Sequence, residues 1–318
     1  MTNTDAPRVT LGPSDLAVSP LALGGNVFGW TADTAQSFAV LDAYAAAGGN
    51  FLDTADVYSA WVPGNSGGES ETVIGEWLRS RGNREQIVVA TKVGMLAGLD
   101  NLRPETIRRG AEESLRRLGV ERIDLFYTHR DDPQTPVEEI VTTLDALVRE
   151  GKVREVAASN IGPERLAASL EFAAREGLAK YVAVQPHYNL VSRDTYEGPL
   201  ADVAAEHGLS AVPYYALASG FLTGKYRPGA AVDSARAQGA GRYLEEPRGL
   251  RVLAALDEVA AAHGTQVAAV ALAWLAAQPT VAAPLASART VEQLPPLLAA
   301  ASLELTAAEL KLLSEASA

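Results

Sequence analysis

"IVVATKVGMLAGLDNLRPETIRRGAEESLRRLGVERIDLFYTH" occupies residues 87–129. It opens on a short apolar run, IVVATK (87–92), and closes on another, RIDLFYTH (122–129). Between them lies a helical pattern with Pro104 in its first turn and Gly119 just past its end. A strand, a helix and a second strand in this order make a βα unit running into the next one. Both strands finish on side chains that chain reversal does not need, Lys92 and His129.

The same alternation extends in both directions. Strand-like runs occur at PLALGG (20–25), NFLD (50–53), VREVAASN (153–160), YVAVQ (181–185), LSAVPY (209–214) and TVAAPLAS (280–287). The helical segment TPVEEIVTTLDALVREGK predicts Thr135 as N-cap, Pro136 at the first position and Gly151 at the exit. GPERLAASLEFAAREG repeats the scheme with Pro163 and Gly177. Eight such units in one chain predict an α/β protein, a closed (β/α)8 TIM barrel forming one domain over residues 1–318. A doubly wound open sheet usually carries a Gly-rich fingerprint after its first strand. Here LGGNVFGW, with Gly24, Gly25 and Gly29, does not make GxGxxG. RVTLGPSDLAVS reads as an N-terminal β-hairpin around Gly12-Pro13-Ser14, placed to plug the bottom of the barrel. Extra helices are expected near the C-terminus. Long loops at 59–68 and 224–246 have the weak patterning of functional insertions.

Composition narrows the function. There are 27 basic and 39 acidic residues, a net charge of −12, which argues against nucleic acid or an anionic membrane as partner. The chain has no cysteine, so disulfides, thiolate nucleophiles and cysteine-ligated metals are excluded. Four histidines without an HExxH give no metal-site pattern, and no metal is expected. No signal peptide and no unbroken apolar run of about 18 residues is visible, so the expected location is cytoplasmic.

The C-terminal ends of barrel strands converge on one mouth, where active sites form. They deliver Gly25, Asp53, Lys92, His129, Ser159-Asn160, Gln185, Tyr214 and Ser287, and Tyr58 follows five positions after Asp53. A free tyrosine has a pKa of about 10 and is a poor acid near neutrality. A lysine ammonium beside it is expected to lower that value, and an aspartate to keep the lysine charged. A neutral histidine orients a carbonyl oxygen. Such a set suits reversible carbonyl reduction if something delivers hydride.

Asp53, Tyr58, Lys92 and His129, in this order on successive units, resemble the catalytic tetrad of the aldo-keto reductases. NFLDTADVYS (50–59), AASN (157–160), VQPHYNL (184–190), PYYALASGFLTGKY (213–226) and PLASARTVEQL (284–294) are similar to that family's segments, and the likeness runs from about Val9 to the last helix. The resemblance implies NADPH as cofactor. It implies Gly25 and Asn26 near the cofactor, Ser159, Asn160 and Gln185 on the carboxamide, and Tyr214 stacked on the nicotinamide. It further implies Leu217, Ser219, Gly220, Leu222 and Lys225 along the pyrophosphate, and Ser287, Arg289 and Gln293 at the adenosine 2′-phosphate end. The family often has Tyr-Ser-Pro-Leu where this chain has Tyr214-Tyr215-Ala216-Leu217. Arg236 or Arg242 in the long loop is a further candidate clamp.

Trp30 and Trp61, in loops at the mouth, are expected walls for a small carbonyl substrate, with Phe28 and Tyr215 weaker candidates. His207 and His263 precede glycines and read as last-turn helix residues, while Asp56 reads as a loop residue without a role. The expected activity is NADPH-dependent reduction of aldehydes or ketones by a monomer. Oxidation of sugars or alcohols, and a redox-sensing accessory subunit with slow turnover, use the same residues and stay open; a metal-dependent barrel enzyme fits poorly.

Overall fold

The computed structural model describes residues 6–229, 232 and 237–318. A hairpin of β1 (Val9–Thr10) and β2 (Ala17–Val18) precedes the barrel. The barrel strands are β3 (Ala22–Gly24), β4 (Phe51–Asp53), β5 (Val88–Val93), β6 (Ile123–Thr128), β7 (Val153–Ser159), β8 (Tyr181–Gln185), β9 (Ser210–Ala211) and β10 (Leu285–Ala286). All neighbours are parallel, in the order β10-β3-β4-β5-β6-β7-β8-β9. The ring closes through backbone hydrogen bonds from Ala211 N to Thr280 O (2.8 Å), Ala282 N to Ala211 O (2.9 Å) and Leu285 N to Pro213 O (3.0 Å). The expected barrel is therefore the observed fold.

Helices α1 (Thr34–Ala46), α2 (Glu69–Arg81), α3 (Pro104–Leu118), α4 (Val137–Arg149), α5 (Pro163–Glu176) and α6 (Pro199–Glu206) cross between successive strands. After β9 come α7 (Ala237–Gly241), α8 (Pro247–His263) and α9 (Val267–Ala276); after β10 come α10 (Leu294–Ala299) and α11 (Ala307–Ala316). Gly119 and Gly177 end α3 and α5 in the left-handed conformation, as read from the sequence. One helix start differs. Helix α4 begins at Val137 with Pro136 as its cap, while Thr135 Oγ1 donates to Asp132 Oδ2 (2.6 Å) in the turn before it. Asp132 also accepts from Leu102 N and Gln134 N, so it draws the threonine hydroxyl away from the helix amides. The seventh strand is short because Pro213 cannot donate to a ladder.

Strand periodicity sorts the side chains into two cores. Outward-facing Leu52, Val89, Phe126, Val156 and Val184 pack against the helices. Inward-facing Phe51, Ala90, Leu125, Ala157 and Ala183 form a second cluster with Leu11, Leu16 and Val18 of the hairpin, which fills the barrel floor. Gly12, at φ 50°, lies so close to the Val182 carbonyl that a Cβ would overlap it, and its N–H donates to Ser210 Oγ (2.8 Å). Two residues further along each strand stand Asp53, Lys92, Tyr127, Ser159 and Gln185, buried and polar. The interior is apolar at the floor and polar at the mouth.

Helices α2 and α3 touch at Gly75, where a Cβ would lie 2.5 Å from Leu118 O and 2.7 Å from Arg117 O. Gly75→Leu forces these helices apart and is expected to cost about 1–3 kcal/mol, as overpacking does. Urea unfolding monitored by circular dichroism measures it. A midpoint equal to wild type contradicts the close contact.

Candidate active site

Strand β4 ends on Asp53, but the chain stays against β5 beyond it. Thr54 N donates to Ala90 O (2.8 Å) and Asp56 N to Lys92 O (3.2 Å) before two tight turns carry Tyr58 over the rim. Ser59, left-handed at φ 70°, anchors the loop by donating to Phe28 O (2.8 Å). This explains the five-residue spacing between carboxylate and phenol.

Lys92 and Asp53 are both 0% exposed. Lys92 Nζ donates to Asp53 Oδ1 (2.5 Å), Thr54 O (2.8 Å) and Tyr58 Oη (3.0 Å), so all three ammonium protons are used. The Tyr58 hydroxyl lies 3.4 Å from Asp53 Oδ1. Gln185 Nε2 donates to the other carboxylate oxygen, Asp53 Oδ2 (2.8 Å), which ties a residue expected at the cofactor to the tetrad itself. His129 extends the inward row of β6, with its ring centroid 6.0 Å from that of Tyr58. The four expected catalytic residues thus stand together at the mouth.

Burial dominates their acidities. It pushes the Tyr58 phenol well above its ordinary value, and the charge and hydrogen bond of Asp53 act in the same direction. The expectation that Lys92 lowers it is not met: the phenolate's lost hydration and a carboxylate neighbour outweigh the ammonium. Burial also lowers Lys92, against the opposing pull of Asp53. His129 falls well below the usual histidine range through burial, then through the charges of Lys92 and Arg130. At neutral pH the site therefore presents a protonated phenol and a neutral imidazole.

A groove of ≈ 350 Å³ runs beside this mouth. Asn26, Trp30, Tyr215, Leu217, Ser219, Gly220, Lys225, Ser287, Arg289 and Gln293 line it. Its rim is built from left-handed backbone at Tyr215 (φ 54°), Ala218 (47°), Ser219 (58°) and Gly220 (93°), conformations that cluster at ligand-binding loops. Among the described residues neither Lys225 nor Arg289 is engaged in an ion pair, leaving two cations at a groove of an acidic protein. Ser287 Oγ donates to Asn26 Oδ1 (2.7 Å), and Gln293 Oε1 accepts from Arg289 N (2.9 Å), fixing the loop around the guanidinium. The donor set suits phosphate groups at both places.

Several of the expected residues lie outside this groove. Leu222 is fully buried in the outer core and does not line the groove. Tyr214 stacks on His187 (centroids 5.5 Å, interplanar 24°) and donates to Asn160 Oδ1 (2.6 Å), whereas half-exposed Tyr215 forms the groove wall. Asn160 Nδ2 donates to His129 O (2.9 Å) and Ser159 Oγ (3.1 Å), and Ser159 Oγ donates to Gln185 O (2.9 Å), so these polar groups position one another. Trp61 meets Trp30 edge-on at 5.5 Å and Tyr58 at 6.3 Å, making an aromatic wall from phenol to groove. Gly25 lies beneath it, its N–H donating to Asp53 O (2.7 Å). Arg242 donates to Tyr243 Oη (2.7 Å), and Arg236 lies outside the described residues. Tyr127, under the site with Lys92 Nζ 5.8 Å from its ring, was not anticipated, although its inward phase one step below His129 marks it. Nor were Glu71 and Arg117, contributed by α2 and α3.

Residues 20–318 match the model of the Aldo/keto reductase family. The chain is 32% identical over 320 residues to Protein tas of Escherichia coli, covering 92% of each chain. It is 34% identical over 315 residues to the uncharacterized oxidoreductase YrpG of Bacillus subtilis, covering 96% of this chain and 94% of the relative. With norsolorinic acid reductase stcV of Emericella nidulans it shares 33% over 320 residues, covering 95% and 79%. With the tetrad assembled on a closed barrel and the match spanning nearly all of it, the chain belongs to the aldo/keto reductase family.

Proposed function

We propose that this protein reduces an aldehyde or ketone to the alcohol with NADPH. The observation that carries the reading is the Tyr58 hydroxyl, held 3.0 Å from Lys92 Nζ and kept protonated by burial. A group that retains its proton at neutral pH is in the form that reduction requires and oxidation does not. When bound, NADPH supplies the hydride.

Tyr58 gives its proton to the carbonyl oxygen. Lys92 faces the phenolate that results and stabilises it as it forms, which is worth more in a buried site than in water. Asp53, held by Gln185, fixes the ammonium in place. His129, neutral, directs the carbonyl oxygen toward Tyr58. Trp30, Trp61 and Tyr215 wall the mouth and exclude water, so a small organic carbonyl with a flat apolar face suits it. Lys225 and Ser219 would hold the pyrophosphate, and Ser287 and Arg289 a 2′-phosphate, the arginine through its fork of donors. Two of the relatives above bear the names reductase and oxidoreductase, which supports the reaction class.

A panel of aldehydes and ketones, followed by NADPH absorbance in both directions, tests the reading. Tyr58→Phe is expected to lower kcat about 10²–10⁴-fold, the range for a positioned acid, while NADPH still quenches tryptophan fluorescence. Near-wild-type turnover in that variant rejects Tyr58 as the acid. Arg289→Ala is expected to weaken NADPH about tenfold or more and leave NADH nearly unchanged, since only the former carries the extra phosphate. Equal losses for both cofactors reject the 2′-phosphate site.

A further inference from the structure

Asp56 is 0% exposed, and neither of its carboxylate oxygens has a side-chain partner among the described residues; only the backbone N–H of Val57, the next residue, faces them. A buried carboxylate in that condition is rare and calls for an explanation. Its surroundings supply one. Asp53, Asp56 and Glu71 are all fully buried, and the bases packed among them are Lys92, fully buried, and Arg117, with 11% of its side chain exposed. Asp53 pairs with Lys92. Glu71 pairs with Arg117 (2.5 Å) and accepts from Thr91 Oγ1 (2.5 Å). Three acids face two bases, and Asp56 is the acid left over.

We propose that Asp56 is a positioning residue for Lys92: at neutral pH it carries the surplus proton of this cluster, and on releasing that proton to solvent it becomes a second anion that keeps the Lys92 ammonium charged. The groups facing Asp56 are Glu71 from α2, Arg117 from α3 and Lys92 from β5. Those facing Lys92 are Asp53, Tyr58, Asp56, Glu71, Tyr127 and His129. Glu113, at the solvent side of Arg117, lies 3.5 Å from that guanidinium and also pairs with Arg109. Burial, then Glu71, pushes the Asp56 carboxyl up to about 8. Burial alone drives Lys92 toward the neutral amine, and Asp53, Asp56 and Glu71 each oppose that. Asp56 thus ionises in the alkaline range where Lys92 needs help, and stays neutral where an added buried charge would only destabilise the fold.

The chain has five lysines, so a titration of their ε-carbons by NMR can follow Lys92 directly, with Lys92→Met assigning its signal. In Asp56→Asn the Lys92 midpoint is expected at lower pH than in wild type. An unchanged midpoint overturns the proposal. Stored protons also appear in stability. The folded-state pKa of Asp56 lies above the unfolded value of 3.8, so its contribution is complete below that value and is lost as pH rises through about 8. The melting temperature of Asp56→Asn minus that of wild type should widen up to that pH and then level off. A gap independent of pH also overturns the proposal. Asp56→Ser, smaller at the same site, repeats both measurements if the asparagine variant does not fold. The kinetic arm rests on the carbonyl-reductase reading: the variant's kcat relative to wild type should fall as pH rises, to about one tenth at strongly alkaline pH, whereas a purely structural defect lowers it equally throughout. If wild type reduces no carbonyl, that reading fails and the NMR and melting results alone decide Asp56.

Discussion

The Lys92–Asp53 ion pair is the constraint on which the rest of the site depends. Both groups are out of water, and neither charge is tolerable there without the other. Their environment is built to make the pair complete. Thr54 and Tyr58 take the remaining ammonium protons, and Gln185 takes the free carboxylate oxygen. Thr54 and Tyr58 come from the loop that follows β4 and Gln185 from the end of β8, so the pair also ties β4, β5 and β8 together at the mouth. The same lack of solvent that makes the pair costly makes its field strong at the Tyr58 hydroxyl.

Much of this was legible in the sequence because it rests on local rules. Strand phase places Asp53, Lys92, His129, Ser159 and Gln185 on the inside, and glycines at Gly119 and Gly177 end helices where expected. What was not legible depends on competition between groups distant in the chain. Thr135 donates to Asp132 instead of capping α4, and Asp132 is itself held by Gln134 N and by Leu102 N, thirty residues away. The acidity of Tyr58 cannot be read from its having a lysine nearby, because burial decides it. Tyr214 and Tyr215 are neighbours whose rings meet each other and His187, yet only Tyr215, left-handed at φ 54°, lines the groove. Asp56 looks like any loop aspartate until Glu71 and Arg117 are seen to have paired with each other.

The groove presents the opposite case. Lys225 and Arg289 lie 64 residues apart in sequence yet line one groove, on a chain with twelve more acidic than basic residues. Long-range attraction does not favour an anion at such a protein; an anion held in this groove would depend at short range on the two cations and the left-handed backbone of the rim. Where the family often has proline, this chain has Ala216, which is buried in the core.

The floor of the barrel follows a different economy. Inward positions there mix small residues, Ala22, Ala90, Ala157, Ala183 and Ala283, with larger ones such as Phe51, Leu125 and Val212, and Leu11, Leu16 and Val18 of a hairpin that belongs to no βα unit complete the packing. The barrel wall is therefore not self-sufficient: its lower end is sealed by a separate stopper added from outside the ring. Directly above that stopper stand the groups that cannot bear hydration. By closing the floor together with Phe51 and Leu125, the hairpin helps to keep water from the charge pair from below, so the low dielectric in which that pair acts depends in part on a segment outside the mouth.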